Sequence, residues 1–159
     1  MIDYDGIRAV IAKGLSEYLK CPVIRSNQAK EPPSYPYISY TITMLASQNN
    51  GTYGEYSDGV DRKPITQTWS ITALSDKDGE STQLANKAVD WLEHVGSTYL
   101  SGNNIIVQQV GNVTNRDNFL TVEYEYRNGF DMVIYLMNET TRQADTIDNV
   151  ELINENEGS

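Results

Sequence analysis

Three carboxylates, Glu123, Glu125 and Asp131, share one parity of a single stretch, with Arg127 between them. Paired acids can divide general-acid and general-base work when their surroundings separate their pKa values. On a strand, residues two apart sit about 7 Å from each other on one side, a spacing that any solvated strand face shares. Arg127 on that side makes ion pairing or contact with another chain the simpler chemistry. The only carboxylate–imidazole neighbours are Glu93 and His94, and adjacent helical residues point about 100° apart, so they form no working dyad. With one histidine and one cysteine, no zinc-ligand spacing exists. Asp76-Lys77-Asp78-Gly79 opens like a calcium loop, but glycine holds its fourth place and Lys87 its twelfth. A helix start explains those residues better. Phosphate-loop and nucleophile-elbow patterns are absent from the sequence. The expectation is a protein without catalytic residues, metal or cofactor; a hydrolase built on Glu123 and Glu125 is the remaining enzymatic alternative.

The element that positions these acids is the most informative part of the chain. Leu120, Val122, Tyr124, Tyr126, Phe130, Met132, Ile134 and Leu136 alternate with Glu123, Glu125, Arg127 and Asp131. A period of two means one buried face and one wet or paired face. Asn128-Gly129 is also a strong hairpin signal, but a hairpin there would put charged and apolar residues on one mixed face. The parity predicts one long strand with a glycine kink or bulge at Gly129.

Upstream, Ile7, Val10, Ile11, Leu15, Tyr18 and Leu19 recur at helical spacing, predicting an amphipathic helix from Asp3 to Leu19 that Pro22 ends. Val23 to Ser26 fits a short edge strand. A loop with Pro32, Pro33 and Pro36 leads into a strand from Tyr37 to Met44, and Ile65 to Leu74 alternates in the same way. These two are expected to pair antiparallel. Their connection, Ala46 to Pro64, is too long for a hairpin loop and carries Tyr53, Tyr56, Arg62 and Lys63. It reads either as a contact loop or as a mobile surface loop. A second helix is expected over Glu80 to Tyr99, fraying near Gly96, then a strand over Ile105 to Val113. Together these predict an α+β domain over residues 1–137, in which an antiparallel sheet of four to five strands packs with two helices. Residues 138–159 lose periodicity and read as an acidic tail, flexible or ordered on binding.

The chain has 159 residues and a formal net charge of −10, from 12 basic and 22 acidic residues. Six acids against Arg142 give the last 22 residues −5, and the other 137 carry the remaining −5. Tight phosphate binding needs clustered Lys and Arg, so direct DNA binding is disfavoured. Cys21 is alone and reads as a small buried hydrophobe. No stretch approaches the roughly 20 apolar residues of a membrane span, and the first residues lack the order of a signal peptide.

Tyr126-Arg127-Asn128-Gly129-Phe130-Asp131 followed by an alternating apolar strand resembles the neck and tail-terminator (head–tail joining) proteins of tailed bacteriophages. Pro36-Tyr37-Ile38-Ser39-Tyr40, Trp91-Leu92 and Val113-Thr114-Asn115-Arg116 fit the same pattern. The resemblance implies a structural virion protein whose copies form a ring, typically of six. Such a ring caps the tail tube and meets the head connector, and DNA passes through it without specific binding. It implies location in the virion, with assembly in the host cytoplasm. It assigns motif positions to Pro36, Tyr37, Trp91, Gly129 and Phe130. Candidate contacts with another copy or partner are Tyr53, Tyr56, Arg62, Lys63, Glu123, Glu125, Arg127 and Asp131. A small acidic adaptor without a virion role is the alternative reading.

Overall fold

The computed structural model describes residues 1–28, 30–47, 54–118 and 125–142. Helix α1 spans Tyr4–Leu19. Asp3 caps it by accepting from the Gly6 amide at 3.0 Å, and Lys20 closes it in the left-handed conformation at φ 56. Strands β1 (Val23–Arg25) and β2 (Tyr37–Met44) come next. The long connection is partly folded: β3 (Glu55–Ser57) turns through Asp58 and Gly59, both at positive φ, into β4 (Val60–Ser75). Positive φ at both central residues suits the twist of a tight hairpin. Helix α2 covers Asp78–Asp90, a π-helical turn Trp91–Val95, and α3 Ser97–Gly102. Strands β5 (Ile106–Val110), β6 (Thr114–Asn115) and β7 (Tyr126–Thr141) complete the described chain.

The sheet runs in the order β1-β2-β4-β7-β5, with β3 paired to β4 and β6 to β7. Its spine is the β4–β7 pair, in unbroken register from Val60↔Thr141 to Ser75↔Tyr126. Odd residues of β4 and even residues of β7 face the helices: Ile65, Trp69, Ile71, Phe130, Met132, Ile134 and Leu136 are all buried. With Ile11, Leu15, Leu84, Ala88, Trp91, Leu92, Leu100 and Ile105 they form the core. The layering is therefore α+β, with helices on one face of the sheet.

Several expectations change. The sheet keeps the expected five strands along its path, with two short ones beside it, but β1 pairs parallel to β2, because the segment between them returns the chain to the same end. The second helix is three segments. Trp91 accepts from the Gly96 amide at 2.7 Å, an i→i+5 bond that turns the helix where the indole must fit. A Cβ on Gly96 would lie 2.3 Å from Trp91, and one on Gly14 of α1 would lie 2.6 Å from the same ring. Two glycines thus make the slot that holds Trp91. Strand β5 is shorter than expected and slips register between Val107 and Gln109, so Val110 replaces Gln109 on the parity of Ile134 and Met132.

Asn128-Gly129 is neither hairpin nor bulge, since β7 passes straight through it in register. Asn128 points at the helices and donates to Ser81 Oγ at 3.0 Å, while Ser81 Oγ donates to the Ala73 carbonyl at 2.9 Å. A helix contact uses the side chain that a turn would have used. β7 also continues to Thr141, four residues past the apolar periodicity, because Val60 to Lys63 extend β4 and offer it partners. Leu120, Val122, Glu123 and Tyr124 lie outside the described residues, as do Tyr53 and the tail from residue 143.

Candidate assembly interface on the uncovered face of the sheet

Helices cover one face, so the other side chains of the same strands make a second surface. On β4 it carries Arg62, Pro64, Thr66, Thr68, Ser70 and Thr72; on β7 it carries Arg127, Asp131, Val133, Tyr135, Met137 and Glu139. Register joins them into rows: Thr66 with Tyr135 and Ile106, and Met44 with Thr68 and Val133, while Pro64 lies opposite Met137. Ile106 is 56%, Met137 42% and Met44 38% exposed. An apolar patch set among threonines therefore crosses the middle of the surface, the composition of an interface centre.

Ion pairs stand at both ends of this patch. Arg62 Nε lies 3.3 Å from Glu139, Arg116 Nη2 3.0 Å from Asp131, and Arg127 Nη2 2.5 Å from Glu125. The acids and arginines of β7 are thus neutralised within the chain, and Arg127 does not pair with Asp131. Arg116 lies flat across the strands: it also donates to Ser70 Oγ at 2.7 Å and to Thr72 Oγ1 at 3.2 Å. Gly129 makes room for it, because a Cβ there would lie 2.9 Å from Arg116 Cδ and 2.4 Å from the Ile71 carbonyl oxygen. Arg116 closes the Val113-Thr114-Asn115-Arg116 motif, but its place over the sheet needed the fold. Val133, Tyr135 and Met137 left a readable trace, a strand apolar on both parities from Met132 to Met137.

The proline-rich loop covers one corner. Tyr35 stacks on Tyr37 with ring centroids 5.8 Å apart and donates to Glu125 Oε2 at 2.5 Å. That bond, with some desolvation, pushes the Tyr35 phenol up to about 12. Burial, then the nearby Glu125 charge, also raises Tyr37. Pro36 enters β2 behind Tyr35. At the other end of the sheet the β3–β4 hairpin presents exposed Tyr56 opposite Asp61, on the helix-side parity of β4 and so off this face, with the Arg142 guanidinium 4.3 Å above its ring and paired to Asp61 at 2.6 Å. Lys63 sits on the helix side, in a recess with Ile2, Tyr4 and Asn138. Phe130 and Trp91 are core residues. The structure thus brings Glu125, Arg127, Asp131 and Arg62 to one face and leaves Lys63 off it.

No group of three or more metal-ligating side chains occurs among the described residues. His94 is exposed beside Glu93 at 3.7 Å. Cys21 is buried, and desolvation lifts its thiol to about 11, away from nucleophilic chemistry. An apolar, ion-paired sheet face is the feature that fold and surface chemistry share. A family model described as phage neck terminator protein matches residues 5–158. The chain belongs to that family, and with it goes a structural role in the neck of the virion. No curated protein matches it. A solved structure shares 15% identity over 87% of this chain and 97% of its own, at a TM-score of 0.39, too loose to carry an argument.

Proposed function

We propose that copies of this chain close into a ring, of six subunits by the family resemblance, at the top of the phage tail. The ring caps the tail tube, receives the head connector, and takes its place in the virion after assembly in the host cytoplasm. The observation that carries the reading is the uncovered sheet face, with its apolar centre and self-neutralised ionic ends. A face whose charges are already paired can be buried against a neighbour at lower desolvation cost than one with free ions. A closed ring needs two different surfaces that fit each other; this face is one, and the β3–β4 hairpin, which carries Tyr56 on the helix side, is a further contact. The net charge of −10 suits a ring through which DNA slides without being held. No catalytic step is assigned.

Light scattering and negative-stain images of the purified protein, alone and with tail tubes, test the proposal. The native chain should give annular particles, and Val133→Asp should give a monomer with an unchanged circular dichroism spectrum. Annuli that survive Val133→Asp and Tyr135→Asp would move the contact elsewhere. A native chain that stays monomeric on tubes would overturn the ring.

A further inference from the structure

The chain has six arginines, and five of them hold a carboxylate of the same chain: Arg8 with Asp5, Arg62 with Glu139, Arg116 with Asp131, Arg127 with Glu125, and Arg142 with Asp61. Arg25, the last residue of β1, has no carboxylate partner among the described residues. It lines a recess of about 340 Å³ at one corner of the uncovered face, where Ser39 of β2 lies opposite Thr72 of β4. Lys30 and Arg127 are the other cations of this recess, and no carboxylate lines it among the described residues. Glu125 holds Arg127 at 2.5 Å and takes the Tyr35 hydroxyl at 2.5 Å, so it neutralises Arg127 alone. Exposed Arg25 and Lys30 are left as two uncompensated cations at one hollow, on a chain whose net charge is −10. Ile24 and Pro32 give that hollow an apolar wall.

We propose that the recess docks an acidic peptide segment of a partner protein, one in which two carboxylates flank an apolar side chain. The planar fork of Arg25 takes one carboxylate with two parallel bonds, Lys30 takes the other as a point charge, and the apolar side chain rests on Ile24 and Pro32.

Two other occupants fit the chemistry less well. Tight binding of a nucleic acid needs clustered cations along the phosphate backbone, whereas here two stand amid an excess of acids that repels a long polyanion. The sheet face of another copy has its own Glu125, Asp131 and Glu139 already held by arginines. The recess also lies clear of the apolar rows assigned to that copy, since Arg127 is six residues from Val133 along β7, roughly 20 Å.

Fluorescence anisotropy of a labelled pentapeptide, Glu-Leu-Glu-Leu-Glu, titrated with the full-length chain is the test. Arg25→Ala should weaken binding by about tenfold or more, the loss of a charge-assisted pair, with the circular dichroism spectrum unchanged. Arg25→Lys, which keeps the charge and loses the fork, should weaken it less. Added salt should weaken it as well, the opposite of an apolar contact. The peptide Gln-Leu-Gln-Leu-Gln should not bind, and Lys87→Ala, a cation of α2 outside the recess, should change nothing. No binding of the acidic peptide, binding indifferent to Arg25→Ala, tighter binding of hexathymidylate, or displacement of the peptide by excess Arg25→Ala chain would each overturn the proposal. The Val133→Asp chain should bind the peptide as the native one does, so the outcome does not depend on ring formation.

Discussion

Gly129→Ala offers the most direct test of how the sheet face is built. The added Cβ would stand 2.4 Å from the Ile71 carbonyl oxygen, with Arg116 Cδ at 2.9 Å and Nε at 3.0 Å. A carbon–oxygen contact between neighbouring strands settles at about 3.3 Å or more, so β4 and β7 must part locally by roughly 0.9 Å. The obstructing atom belongs to the backbone of the central strand pair, in register on both sides of Thr72↔Gly129, and cannot swing aside. Overpacking typically costs about 1–3 kcal/mol, and replacing glycine in a strand returns roughly 0.5–1 kcal/mol of chain entropy. We expect a net loss of about 2 kcal/mol near the upper end of the overpacking range, or roughly 4–8 °C in Tm for a chain of this size. Urea unfolding monitored by tryptophan fluorescence measures it as a lower midpoint at unchanged slope. A midpoint that is unmoved or raised refutes the steric argument. Adding Arg116→Ala separates the two obstacles: it clears the guanidinium contacts but leaves the Ile71 oxygen. The double variant should therefore regain none of the loss; recovery would show that Arg116, not the backbone, was the barrier.

Arg116→Ala alone removes charge-assisted bonds to Ser70, Thr72 and Asp131 and should cost about 1–2 kcal/mol in the same unfolding assay, with the circular dichroism spectrum unchanged. Tyr35 should ionise near 12 in a nuclear magnetic resonance titration of its phenol carbons, and Glu125→Gln should bring its midpoint down. Because the folded phenol holds its proton beyond the unfolded value of 10, its contribution is complete below pH 10. It is lost as pH rises from 10 through about 12. Cys21, buried with its thiol raised to about 11, should resist iodoacetamide at pH 8 in the native protein and react readily in urea; mass spectrometry decides.

The elements that bury one clean face were legible from residue order alone. Helix α1, β2, and the apolar parity of β7 all arise from local rules, because each needs only neighbours in sequence to state its period. The features that residue order did not disclose depend on partners distant in the chain. The Asn128-Gly129 pair has the composition of a turn, yet Ser81, 47 residues away, takes the asparagine amide, and Arg116 takes the space over the glycine. The π-helical turn at Trp91 exists because α1 presents Gly14 to the indole, a demand invisible within the helix itself.

The candidate interface was half legible for a related reason. Charge alternation identified Arg127 and Asp131 as an ionic row, which is correct as placement. It left ion pairing and contact with another chain both open, and Glu125 and Arg116 hold these charges within the chain. That changes the physics of the face. Free ions would make association dependent on salt and on matched opposite charges across the joint. With its ions paired internally, the face can associate through Val133, Tyr135, Met137 and Ile106, and its association should persist or tighten as salt rises. Sedimentation across a salt series therefore separates the two chemistries: weakening in high salt would return the contact to the arginines and acids of β7, and strengthening assigns it to the apolar rows between them.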